Sequence, residues 1–298
     1  MSRRATAIAT LLLLLAAGCA PTRSGSLGPA PTAPAPTSVG PTSTGPTTVA
    51  PTGTVVRPPA RTTTAPAAPT TGSAGRSRAA TLILQLWYVR DGRLAPTRRS
   101  RPATVATSRL ALTELAAGPT RAEADAGLVT LLPDGAEVSG IDSGTARVRL
   151  AAAADPAVTR LRQAQVVYTL TQFPTVARVA FGAAPPADRA DYADLLPPVV
   201  VTAPTIGERV TSPVTVTGTA DVFEATVTVR LLDAAGRQLA TAFTTATCGT
   251  GCRGGYRIVI GYRLDREQPG TVEAYEVSAA DGSRTKLVAV PVVLTPAG

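Results

Sequence analysis

The sequence predicts an α+β chain. A small sheet-and-helix domain spans residues 80–184, and an all-β sandwich spans 198–298, behind a Pro/Thr/Ser-rich tether. Three observations carry this. Apolar residues recur at every second position through the last third of the chain, as half-buried strands require. Two stretches of helical spacing stand between β-rich runs from Thr81 to Phe181. Residues 20–79 hold twelve Pro, fourteen Thr and no aromatic side chain, a composition that cannot bury enough apolar surface to offset ordering entropy.

The chain opens with Arg3-Arg4 and an apolar run ending in Leu11–Leu15, followed by Ala16-Ala17-Gly18-Cys19. The stretch from Ala5 to Ala17 is shorter than the roughly 20 residues a spanning helix needs. A charged start, a short apolar core and small residues before the cleavage point make an export signal. The segment resembles the bacterial lipobox, with Ala16 where Leu is commonest. The resemblance implies a signal peptide over 1–18, cleavage before Cys19 and acylation (palmitate-type chains) of the Cys19 thiol. Stable anchoring needs more than one acyl chain. An ordinary secretory signal with an incidental Cys is the other reading. Residues 19–79 then form a disordered tether with a polyproline tendency, and its threonines are candidates for O-glycosylation.

In the first domain, Thr81–Arg90 is rich in β formers and reads as a buried strand. Asp91-Gly92 is a hairpin turn signal, with the return strand starting at Leu94. Thr97–Pro102 reads as a basic loop holding Arg98, Arg99 and Arg101. Ser108 is placed as the cap of a helix carrying Leu110, Leu112 and Leu115, stopped at Gly118-Pro119. Leu128–Leu132 and Ala146–Leu150 read as strands, with turns at Pro133-Asp134-Gly135 and Asp142-Ser143-Gly144. Asp155-Pro156 is a cap followed by Pro at the first helical position. Ala157, Leu161, Ala164 and Tyr168 share one face of that helix. Phe173-Pro174 ends it, and Thr175–Phe181 returns as a strand in a sheet with helices on one side.

Trp87–Gly92, Leu115–Thr120 and Val166–Val176 resemble, in order, the GerMN domain of sporulation and spore-germination lipoproteins. The resemblance covers nearly the whole domain. It implies a non-catalytic α+β module similar to ring-building modules of envelope assemblies.

Residues 185–197 cluster Pro and Asp and read as a solvated linker. Asp188, Asp191 and Asp194 at spacing three are the alternative, a cation site, but no calcium-loop pattern surrounds them. Beyond the linker, Val214–Gly218, Val227–Leu231, Tyr256–Ile260 and Val290–Leu294 alternate apolar and polar. Turn signals recur at Asp233–Gly236, Gly254-Gly255, Pro269-Gly270 and Asp281-Gly282, giving about seven strands of a sandwich. Cys248 and Cys252 remain as an even pair once Cys19 is set aside. Gly249 and Gly251 between them allow a disulfide across a hairpin tip in an oxidising compartment, with a free thiol pair as the alternative. Ser212–Ala220, Val222–Ala225, Val229–Asp233 and Thr247–Gly254 resemble the immunoglobulin-like domain of bacterial spore germination. The fold expected is therefore α+β, a GerMN-like domain followed by an immunoglobulin-like β-sandwich.

Charge is uneven. Residues 1–105 carry +11 and residues 106–298 carry −2, so the overall +9 belongs to the tether and the start of the first domain. That is not the basic face of a nucleic-acid binder, and export argues against nucleic acid too. Twenty-eight Arg against one Lys is the usage of a GC-rich genome and, with the signal, points to an actinobacterium. The chain has no His, the commonest general base and metal ligand. It has no nucleophile elbow or phosphate loop. Its one Lys, Lys286, sits in the last strand region, and Glu273 and Glu276 make no cleft by themselves. No enzyme, cofactor or metal is expected. The function expected is a non-catalytic lipoprotein on the outer face of the cell membrane, scaffolding an unidentified envelope protein. Glu224 and Arg230 are candidate contacts, with exposed strand polarity as the plain alternative. Binding of an anionic cell-wall polymer through the tether and the basic loop, with Arg98, Arg99 and Arg101 as its contacts, is the alternative function.

Overall fold

The computed structural model describes residues 80–297, all within one compact unit. The expected signal, Cys19 and the expected tether lie outside the described residues.

The first domain opens with a hairpin of β1 (Thr81–Arg90) and β2 (Arg93–Pro102). Asp91 and Gly92 both take positive φ, the two-residue turn that matches strand twist. The pairing runs without a break to Thr81 opposite Pro102, so the segment expected as a basic loop is strand. Its side chains alternate: Thr97 is buried, while Arg98 and Ser100 take the other face. Helix α1 (Thr107–Ala116) begins before the expected cap, at Ala106. Ser108 is instead buried inside the helix, and Gly118 follows with φ +88° as a helix stop needs. A short α2 (Arg121–Asp125) follows, unforeseen though Thr120-x-x-Glu123 is a capping box. Leu128–Leu132 is not a strand; only Val129 bridges, to Val89. The strand falls later, at β3 (Glu137–Asp142), which turns through Ser143-Gly144 into β4 (Thr145–Arg149).

Helix α3 (Pro156–Leu170) starts at the expected Asp155 cap, whose carboxylate accepts from Ala157 N at 2.8 Å. Its apolar face is not the simple stripe expected. Ala157 is exposed, and every residue from Ala164 to Leu170 is buried. The strand after it, β5 (Arg178–Phe181), is shorter than expected and lies parallel to β4, with α3 as the crossover. The domain thus holds two sheets rather than one, the β1–β2 hairpin and the β3–β4–β5 sheet.

The end of α3 explains its all-round burial. Gln172 accepts from Gln85 N (2.8 Å) and donates to Gln85 O (2.7 Å). The Thr169 hydroxyl accepts from Trp87 N (3.1 Å), and Gln165 donates to Trp87 O (3.0 Å). Side chains from this helix and the turn after it therefore satisfy the open edge of β1 where a third strand would lie.

Residues 185–197 are ordered against the first domain instead of forming a solvated linker. Ala187 bridges Val179, a 3₁₀ helix covers Ala190–Leu195, and Tyr192 and Leu196 are buried in the first core.

The second domain is the expected sandwich. Its strands are β6 (Val199–Ala203), β7 (Arg209–Thr211), β8 (Val214–Ala220), β9 (Thr226–Leu232), β10 (Gln238–Thr245), β11 (Gly254–Ile260), β12 (Gln268–Val277) and β13 (Arg284–Thr295). One sheet has the order β10–β9–β12–β13–β7 and the other β11–β8–β6. Val227, Val229 and Leu231 of β9 face Val216, Tyr256 and Ile258 of the opposite sheet in one core. Two expected turns are strand. Gly254-Gly255 opens β11 and Pro269-Gly270 lies within β12, because Gly254 and Gly270 each meet a close neighbour. A Cβ on Gly254 would stand 2.1 Å from Cys248 N. Gly218 has the same role in β8: the Tyr256 ring crosses it to donate to Val200 O at 3.1 Å.

Strand β6 belongs to both cores. Val199 and Val201 point into the sandwich, and Val200 between them points into the first domain.

Candidate functional site

Three of the four arginines of β2, those at 98, 99 and 101, are each bonded to a carboxylate. Arg98 meets Glu208 of the second domain at 3.2 Å, with both side chains over a third exposed. Arg101 grips Glu114 of α1 with two bonds, of 2.7 and 2.6 Å. Arg99 holds Glu123, which is 2% exposed, through Nη1 to Oε1 at 2.6 Å and a second bond to Oε2. Glu123 also accepts from the Thr97 hydroxyl and from Thr120 N (2.8 Å), the latter closing the capping box. Burial alone raises the Glu123 carboxyl; the bonds from Arg99, Thr97 and Thr120 outweigh it and hold the group below the usual carboxylate range. The Tyr88 hydroxyl donates to Gly118 O at 2.7 Å, and burial pushes it up to about 12.

A second set of arginines lies at the junction of the domains and donates to carbonyls. Arg90 reaches Ala289 O (3.3 Å), Arg93 reaches Asp194 O (2.9 Å) and Leu196 O (3.2 Å), and Arg253 reaches Pro197 O (2.8 Å). Burial lowers the Arg253 guanidinium, partly offset by Tyr168 and Asp221. Beside these bonds lies a cavity of about 140 Å³ between Leu94 and Pro96 on one side and Val199, Ile206, Val288 and Val290 on the other. Sequence reasoning missed this junction because Arg–carbonyl bonds follow no sequence spacing.

The three linker aspartates go separate ways. Asp188 accepts from Ala190 N, Asp191 accepts from Asp188 N, and Asp194 pairs with Arg160 at 2.7 Å. No group of three metal-capable side chains occurs among the described residues.

Cys248 and Cys252 are joined by a disulfide. The loop that carries them is not a hairpin tip. It connects β10 of one sheet to β11 of the other, and Gly251 N donates to Asp221 at 2.9 Å. Arg230 pairs with Glu273 across β9 and β12 at 2.6 Å and lies over the Tyr275 ring. Glu224 sits exposed in the turn before β9 with φ +52°. Lys286 pairs with Glu276 at 2.9 Å.

These domains match known families. Residues 85–183 match the family described as sporulation and spore germination, and residues 198–283 match the immunoglobulin-like domain of bacterial spore germination. The two matches follow one another along the chain in that order. Among solved structures, the tandem GerMN domains of the sporulation protein GerM from Bacillus subtilis are 14% identical, with a TM-score of 0.32 over 61% of this chain. The match covers 62% of that protein's chain. WR4, a C. elegans MSP family member, is 16% identical, with a TM-score of 0.21 over 34% of this chain and 98% of its own. At these TM-scores neither likeness carries an argument. No curated protein matches.

Proposed function

We propose that this protein is a lipid-anchored, non-catalytic interaction module of the cell envelope, with a role in sporulation or germination. Its lipid sits on Cys19, its tether spans 19–79, and its two domains act as one body on the outer face of the membrane. The observation that carries the reading is β6, whose Val200 packs into one core while Val199 and Val201 pack into the other. Such a body suits a scaffold, because a partner held by one domain is fixed relative to the other. The two family matches support the setting. The lack of His and the ion-paired state of the one Lys support a role without catalysis. The polymer-binding alternative has less support, since Arg98, Arg99 and Arg101 already hold Glu208, Glu123 and Glu114.

Metabolic labelling with a palmitate analogue tests the anchor. The parent chain should take up label and fractionate with membranes, and Cys19→Ala should do neither. Label retained by Cys19→Ala, or a parent chain found free in the medium, would sink the anchored reading. A wall-bound fraction released by raised salt would favour the polymer reading instead.

A further inference from the structure

The described residues begin at Ala80, and an apolar and basic surface lies beside that entry point. Ala103 N donates to Ala80 O at 2.7 Å, which sets the loop 103–106 next to the incoming chain. This loop carries Val105, which is fully exposed. Val105 lines one groove with Arg109 at the start of α1 and with Val138 and Ile141 of β3. Ile141 is exposed near the end of β3. Ile83 is exposed at the open end of the hairpin, where Thr81 pairs with Pro102. Single exposed aliphatic side chains are ordinary on a surface. Three at one end of a domain are what an interaction surface presents.

Charge at this end is uneven. Glu114 is matched by Arg101, Glu137 by Arg149 at 2.9 Å and Asp142 by Arg147 at 3.7 Å. Arg109 and Arg178 are exposed and make no ion pair among the described residues. Arg178 stands by the turn after β3, where its backbone N–H donates to Gly144 O at 3.1 Å. Two more arginines, Arg76 and Arg78, precede Ala80 in the sequence. Exposed aliphatic side chains amid surplus guanidinium groups complement a bilayer surface, where acyl chains lie just beneath anionic headgroups. A wall polymer offers the negative charge without the apolar layer.

We infer that this end of the first domain docks on an anionic lipid bilayer. Ile83, Val105 and Ile141 meet the boundary between headgroups and acyl chains, and Arg109 and Arg178 meet lipid phosphates. The inference rests on the outer-face reading above and adds that the folded body itself holds the membrane surface. The chain enters the domain at the same end, so docking turns the body toward the side on which the sequence places its anchor. Three aliphatic side chains bury little area, so the contact is weak without the acyl chains and sensitive to salt.

The test is flotation of the chain from residue 20 onward, which lacks the expected signal and acyl site. The vesicles are phosphatidylcholine alone, or phosphatidylcholine with about 30% phosphatidylglycerol as the anionic surface. Flotation is expected with the anionic vesicles only, and should fall as salt is raised from about 50 to 500 mM. Arg109→Glu and Arg178→Glu should each weaken it by at least about fivefold, the worth of one basic residue at such a surface. Val105→Ser with Ile141→Ser should weaken it severalfold with no change of charge, which binding by the tether arginines alone would not show. Val259→Ser, at an exposed apolar site on β11, should leave it unchanged. Circular dichroism on each variant separates loss of docking from loss of fold. No flotation with anionic vesicles, flotation indifferent to the serine pair, or equal loss in Val259→Ser would overturn the inference. Retention on an anionic wall polymer without flotation would overturn it in favour of the polymer. Because this chain lacks Cys19, failure here leaves the labelling test of the anchor untouched.

Discussion

Glu123 is the residue on which the first domain turns. It is buried, ionised and bonded to Arg99, Thr97 and Thr120 N, so removing its charge strands a guanidinium in a closed site. Breaking a buried pair costs about 3–5 kcal/mol. Glu123→Gln should lose close to that in urea unfolding, whereas Arg98→Ala, at an exposed pair, should lose under about 1 kcal/mol. The pH dependence has a definite sign. The folded carboxyl lies below its ordinary value of 4.5, so its stabilisation is complete above that pH and is lost as pH falls through the lower folded value. The unfolding midpoint of the parent chain should therefore drop below about pH 4.5, and Glu123→Gln should lack that part of the drop. The capping box was legible in Thr120-x-x-Glu123. The Arg99 pairing was not, because nothing local to Thr97–Pro102 shows that a carboxylate more than twenty residues later closes over it.

At the scale of elements, period-two runs located most of the sandwich strands, because each has one buried and one solvated face. The misplacements share a physical cause. Glycine is both a turn former and the residue that lets other atoms approach closely, and Gly254 and Gly270 serve the second use inside β11 and β12. Gly218 shows what such a position demands. Gly218→Ala should cost about 3 kcal/mol by overpacking, since its Cβ would stand 1.9 Å from Val200 O. A normal midpoint in that variant would contradict the close approach of β8 and β6. The disulfide closes a short loop, with a sequence separation of four. The loop-entropy model gives it roughly 2 kcal/mol, so Cys248→Ala with Cys252→Ala should lower the midpoint without abolishing folding. The edge of β1 could not be anticipated, because Gln165, Thr169 and Gln172 read as ordinary helix polarity until they are seen bonding to strand backbone.

For the whole molecule, how the two domains join could not be read from composition. Residues 185–197 look like a linker by composition, yet Tyr192 and Leu196 pack into the first core and β6 serves both. Heat should therefore unfold the two domains in one calorimetric transition; two separated transitions would show that β6 does not couple them. One body on a lipid tether is the central claim, and crosslinking the protein in living cells tests it most directly. The parent chain should give one dominant protein adduct, identified by mass spectrometry and lost in Cys19→Ala. Adducts only to wall glycans, or adducts unchanged in Cys19→Ala, would contradict an anchored protein scaffold.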